Sequence, residues 1–116
     1  MKFNFNENPR TFNVKGFSIK DYGKIFLDPC ETISFITKSG KECDFTAQEW
    51  GFYVAPSLNS RLKNQGFKTA LVINESNQIY VMAVETDKID LFKKYLKTNQ
   101  NNKILCWLDD WLIEEK

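Results

Sequence analysis

Histidine is absent from the 116-residue chain, and the usual neutral-pH proton shuttle and commonest metal ligand go with it. Imidazole-based hydrolytic triads and most zinc-enzyme ligand sets are excluded by that one omission. Cysteine is scarce as well. Cys30, Cys43 and Cys106 are odd in number, widely separated and set in apolar runs, which fits neither a disulfide framework nor a metal knuckle. They read as reduced core residues, since no neighbouring imidazole can hold a reactive thiolate. No metal site, cofactor or catalytic residue is expected.

Charge of one sign is also missing. Sixteen Lys and Arg face 15 Asp and Glu, a net charge of +1, so no broad basic field exists to hold a polyanion and nucleic acid is not an expected partner. The lysines and aromatics interleaved at Phe17, Lys20, Tyr22, Lys24 and Phe26 resemble a single-strand-binding surface, but the near-neutral total argues against one. No stretch approaches the roughly 18 apolar residues of a membrane span. The opening residues Met1 to Phe5 carry one lysine and no apolar core of a signal peptide, so the sequence predicts a cytoplasmic protein with no membrane partner. No Gly-rich dinucleotide fingerprint, phosphate loop or Cys-x-x-Cys pair occurs.

The composition that remains, 42% hydrophobic and 27% charged, is that of a globular chain. The length predicts a single domain spanning residues 1–116, able to bury roughly two-thirds of its unfolded surface. Residues 1–16 alternate Phe3 with Phe5 and Phe12 with Val14 around Asn8-Pro9, and both an edge strand and a loosely held arm are open for them. Residues 17–27 read as a hairpin turning at Asp21-Tyr22-Gly23-Lys24, and residues 32–45 as a second hairpin turning at Lys38-Ser39-Gly40-Lys41. Thr46 and Glu49 fit a capping box, predicting a helical turn that carries Trp50 and ends at Gly51. Ser57 is a suitable N-cap for a short helix over 58–65, with Leu58 and Leu62 on one face and Gly66 as its stop.

Residues 67–73 and 79–84 are apolar on both alternating faces, which predicts a hairpin central in its sheet. Asp87 should cap a helix to Lys97 whose Ile89, Phe92, Tyr95 and Leu96 form one apolar stripe lying on a sheet face. A last strand over 104–108 and an acidic, aromatic tail follow. The predicted fold class is α+β: a strongly bent antiparallel sheet or small open barrel of about five to seven strands, with one covering helix and short helical turns. At 15% of residues, aromatics exceed what so short a core needs, so some rings should reach the surface, and a homodimer is compatible with that surplus.

Chemistry-bearing residues concentrate in 49–61. Trp50, Tyr53, Ser57, Asn59 and Arg61 are the candidate ligand-binding residues: aromatic faces beside hydroxyl and amide groups suit a sugar ring, and a guanidinium near a capped helix start suits a carboxylate or phosphate. The same residues also fit plain structural duties, the rings plugging a core and Ser57 capping a helix. A second cluster, Cys106-Trp107-Leu108-Asp109-Asp110-Trp111, sets two carboxylates between indoles. Adjacent strand residues point to opposite faces, so Asp109 and Asp110 converge only if the chain turns there. The plainer reading has Trp107 buried and Trp111 and Leu112 packing on the body or on a second subunit.

Residues 50–72, together with Cys106-Trp107-Leu108-Asp109, resemble small uncharacterised bacterial proteins associated with surface-polysaccharide gene neighbourhoods. That resemblance covers less than half of the chain and implies a glycan-linked role, with no catalytic motif to carry over. The leading expectation is a non-catalytic cytosolic binding or accessory module for a small anionic or sugar-like ligand or a protein partner. Its rivals are a histidine-free sugar-modifying enzyme working through Glu49, Tyr53 or the Asp109 and Asp110 pair, and a structural homodimer with no ligand.

Overall fold

A computed structural model describes residues 1–98 and 101–111. The first long element is β1 (Lys2–Val14), which pairs antiparallel with β2 (Phe17–Phe26) from Lys2 opposite Phe26 to Val14 opposite Phe17. Of the two readings open for residues 1–16, the structure shows the strand. It also corrects the hairpin expected within 17–27. The chain reverses at Lys15-Gly16, where both residues have positive φ (50° and 90°) as the tight two-residue hairpin turn requires, and 17–26 run on as one strand. Gly23 (φ 127°) serves a close approach to β1, not a turn. The register shifts between Phe5 and Arg10, so that residues 6–9 stand against Tyr22 alone. Pro9, unable to donate to a ladder, falls in that irregularity.

The second hairpin forms where expected, from β3 (Thr32–Ile36) and β4 (Glu42–Gln48). The amide of Thr37 donates to Lys41 O at 2.9 Å and that of Gly40 to Thr37 O at 2.9 Å. The capping-box helix does not form. Thr46 stays in β4, its hydroxyl 2.9 Å from that of Thr32, and Glu49-Trp50 turn directly into β5 (Gly51–Val54), Gln48 pairing with Gly51. Tertiary pairing wins here because a single helical turn carries almost no stability of its own. Gly51 does have the positive φ expected of it (143°).

Ser57 nucleates a turn, its carbonyl accepting the Leu62 amide at 2.9 Å and its Oγ the Arg61 amide at 3.1 Å. The helix that follows, α1 (Arg61–Asn64), is shorter than the expected 58–65 and stops before Gly66 (φ 95°). Then come β6 (Phe67–Ile73), β7 (Ile79–Glu85), a 3-10 turn at Thr86–Lys88, α2 (Ile89–Thr98) and β8 (Lys103–Trp107). The sheet order is β7-β6-β8, so only half of the expected central hairpin is central. The edge strand β7 leaves Ile79 and Val81 exposed.

The covering helix forms near the place the sequence predicts, but it begins at Ile89, and Asp87 sits within the preceding 3-10 turn rather than capping it. On one face of β6, Ala70 and Val72 are fully buried and pack with Leu96 of α2, and Met82, Phe92, Ile104 and Trp107 close the cluster. Phe92 and Trp107 lie with ring centroids 5.9 Å apart. Between Leu71 opposite Cys106 and Val72 opposite Ile104 the ladder skips Leu105, which this bulge turns out to solvent.

The α+β class stands: the described residues form three antiparallel sheets, β1-β2, β3-β4-β5 and β7-β6-β8, with one long helix and, among these residues, no closure into a barrel. Backbone contacts divide the chain into two units, Met1–Phe35 with Asp44–Ala55, and Ile36–Cys43 with Pro56 onward. None of the three cysteines is in a disulfide; Cys43 is buried and Cys106 half-buried. Cys30 corrects the expectation of a core thiol: it sits exposed at positive φ (68°), with Sγ 3.5 Å from Gln48 Oε1.

No helix among the described residues is long and apolar enough to cross a membrane.

Candidate functional site: an aromatic hollow in the first unit

Alternating strand residues from five strands of the first unit line a hollow of about 450 Å³: Phe5 of β1, Tyr22, Gly23 and Ile25 of β2 with Leu27 just beyond it, Ile33 and Phe35 of β3, Phe45 of β4 and Phe52 of β5. That size falls within the range of small-molecule sites. Phe35 and Phe45 meet edge to face, with centroids 5.3 Å apart and planes at 73°, the arrangement that the ring quadrupole favours. Phe5, Phe35 and Phe52 are 57%, 51% and 65% exposed, so half or more of each of these rings stays in contact with water. No lining residue carries a formal charge, and the Tyr22 hydroxyl is the one polar side-chain group in the wall. An ion entering this hollow would shed water without gaining a partner.

The floor of the hollow is fixed by the ribbon irregularity. Asp21 Oδ1 accepts the Gly23 amide at 3.0 Å and Oδ2 accepts Arg10 Nη2 at 3.0 Å. Those two donors, the amide first and the guanidinium second, hold the Asp21 carboxyl below its ordinary value. Where the strands meet their turns, Glu31 is likewise lowered, by the Asp28 amide and then the chain's amino terminus.

The segment flagged by its composition is divided. Trp50 and Tyr53 come together, stacked at 5.8 Å with planes 24° apart, Trp50 73% exposed. They belong to the first unit, whereas Ser57, Asn59 and Arg61 belong to the second. Ser57 spends its Oγ on the Arg61 amide, and Asn59 and the Arg61 side chain are exposed. Of the hollow's residues only Phe52 lies inside that segment. Two signals point to the rest: the Phe3 and Phe5 alternation and the surplus of aromatics.

The two carboxylates do not converge. The chain turns at Leu108–Asp110, yet Asp109 is buried, with Oδ1 accepting the Thr69 amide at 2.8 Å, while exposed Asp110 meets Lys68 Nζ at 3.2 Å. Lys68 also lies 4.9 Å from the centre of the Trp107 ring. Asp109 Oδ2 has no hydrogen-bond partner among the described residues. Trp111 is exposed, and the expected packing of Leu112 lies outside the described residues. Asp109→Leu should strand the Thr69 amide and cost about 1–3 kcal/mol in denaturant unfolding. Asp110→Asn, at an exposed ion pair, should cost under about 1 kcal/mol. Equal effects would contradict a structural role specific to Asp109.

In the second unit, Ser39 Oγ donates to Glu85 Oε1, and this bond, ahead of Thr37, Lys88 and Lys41, lowers the Glu85 carboxyl from its usual value. A carboxylate so stabilised is a weak base, and the bond ties the β3–β4 turn to the end of β7. Among the described residues no three Cys, Asp or Glu side chains converge as metal ligands. No protein-family model, curated protein or solved structure matches the chain.

Proposed function

We propose that the protein is a non-catalytic binding module whose aromatic hollow receives an apolar group, most simply a hydrophobic side chain of a protein partner. The observation that carries this reading is the uncharged wall drawn from five strands, four of which supply phenylalanines, with Phe5, Phe35 and Phe52 half or more exposed. Of the ligand classes the sequence leaves open, it favours an apolar surface over an anion, because it offers no cation to receive one, and over a sugar, whose many hydroxyls would find only Tyr22. Three cysteines with no disulfide among them fit a reducing compartment, so we place the module in the cytoplasm. The resemblance to proteins of surface-polysaccharide neighbourhoods supports a partner from glycan assembly. The exposed rings of the first unit also support a homodimer.

Nile red, a neutral apolar fluorophore, should bind the full chain saturably and brighten. Phe52→Ala should weaken it about tenfold or more, the worth of one buried phenylalanine face. Trp50→Ala, outside the hollow's wall, should leave it unchanged. Equal binding by wild type and Phe52→Ala, or loss in Trp50→Ala alone, would remove the hollow as the site.

A further inference from the structure

Along β1–β2, residues directly opposite each other share a face. Beyond the irregularity one face therefore carries Phe12 opposite Ile19, Val14 opposite Phe17 and Arg10 opposite Asp21, and the other carries Thr11 opposite Lys20 and Asn13 opposite Ser18. The ribbon is amphipathic in its outer half. Phe12, Val14 and Ile19 are 39%, 39% and 41% exposed, a contiguous apolar strip on a two-stranded element of a kind that is marginal in water by itself.

The charges on that strip say what covers it. Arg10 lies 5.0 Å over the Phe12 ring and 3.0 Å from Asp21, so the face holds one fixed cation and one fixed anion and is neutral as a whole. Such a face is complementary to itself. A two-fold axis brings apolar strip onto apolar strip and sets Arg10 of each copy against the partner's Asp21. A partner of either net charge would find no field to match.

We propose that the outer face of the β1–β2 ribbon is the contact surface between two copies of this chain, each ribbon stacking its Phe12, Val14 and Ile19 side on the other's. This assignment rests on the homodimer reading and gives it a location. The six residues that each copy places on this face are fewer than the roughly 20–30 of a standard stable interface, so the dimer is weak, with a dissociation constant in the micromolar range, about 1–100 µM.

Sedimentation equilibrium of the full chain from low micromolar to about 1 mM tests it, with far-UV circular dichroism of every variant. Wild type should pass from monomer to dimer. Ile19→Lys should raise the dissociation constant at least tenfold. Arg10→Glu and Asp21→Arg should each dissociate alone, and an equimolar mixture of the two should recover a heterodimer, a rescue that unfolded chains cannot give. Because Asp21 also accepts the Gly23 amide, Arg10→Glu and Ile19→Lys carry the test if Asp21→Arg opens the ribbon. Wild type that stays monomeric to 1 mM defeats both the homodimer and this face, including the case where the monomer instead binds phosphatidylcholine vesicles. A dimer whose strength is the same in Ile19→Lys and Arg10→Glu keeps the homodimer and refutes this face.

Discussion

Gly23→Ala should open the base of the β1–β2 ribbon while leaving the second unit intact. A Cβ built on Gly23 collides with the backbone carbonyl oxygen of Asn4 and lies 2.9 Å from Phe5 Cα. These are main-chain atoms of the paired strand, so relief requires the strands to part. Its φ of 127° adds a conformational penalty of about 1–3 kcal/mol for a residue with a side chain. Gly16, also at positive φ (90°) but with nothing within 4 Å of its added Cβ, is the matched control, since Gly16→Ala incurs only the conformational part. Native-state hydrogen exchange should show lost protection at the amides of β1 and β2 near this pairing in Gly23→Ala, unchanged protection in β6, and a much smaller loss in Gly16→Ala. Because Gly23 also floors the hollow, Nile red binding should fall with the ribbon. Indistinguishable behaviour of the two variants would mean that the close approach to Asn4 is not a constraint.

Leu62→Ala should be among the most damaging single substitutions in the second unit. Leu62 is 1% exposed, one of the three largest fully buried side chains, on the four-residue helix α1 that sits against β6. Removing a buried leucine to Cβ costs about 2–5 kcal/mol, the upper part of the range applying where the surroundings cannot collapse. One helical turn has negligible stability of its own, so the leucine is what anchors α1, and its loss should also free the Ser57 cap. Lys63→Ala, one position on and exposed, should change stability by less than about 0.5 kcal/mol. Denaturant unfolding followed by tryptophan fluorescence in a Trp50→Phe, Trp111→Phe background, where Trp107 of the same unit carries the signal, measures both. A loss below about 1 kcal/mol for Leu62→Ala would show that α1 contributes little to the core.

The hollow was only partly readable from the chain. Binary alternation located β3 and β4 and left a strand open for residues 1–16, but it read β2 as a hairpin and put a helical turn before β5; the excess of phenylalanine predicted that rings would reach the surface. Which rings meet was not readable, because Phe5, Tyr22, Phe35, Phe45 and Phe52 are separated by up to 47 positions and converge only through strand pairing. Composition pointed instead to residues 49–61, where density along the sequence stood in for density in space. The misplaced turn at 21–24 has a similar cause. Asp-Tyr-Gly-Lys has turn chemistry, but the Asp21 carboxylate satisfies the Gly23 amide within an extended strand, and glycine is needed there for an approach by a segment nearly 20 residues upstream.

By itself the sequence determined the α+β class, the β3–β4 and β6–β7 hairpins, and the amphipathic helix whose Phe92 and Leu96 face a sheet, because these follow from periodicity and turn residues acting over a few positions. Tertiary structure alone decided that Lys2–Val14 become a paired strand rather than a loose arm, that Thr46 to Trp50 leave the helical option for a hairpin, that Asp109 is buried on the Thr69 amide while Asp110 faces Lys68, and that an uncharged aromatic hollow exists. Each of those outcomes depends on a neighbour far away in the chain, and the free energy of pairing or burial against that neighbour exceeds the local preferences that a linear reading can weigh.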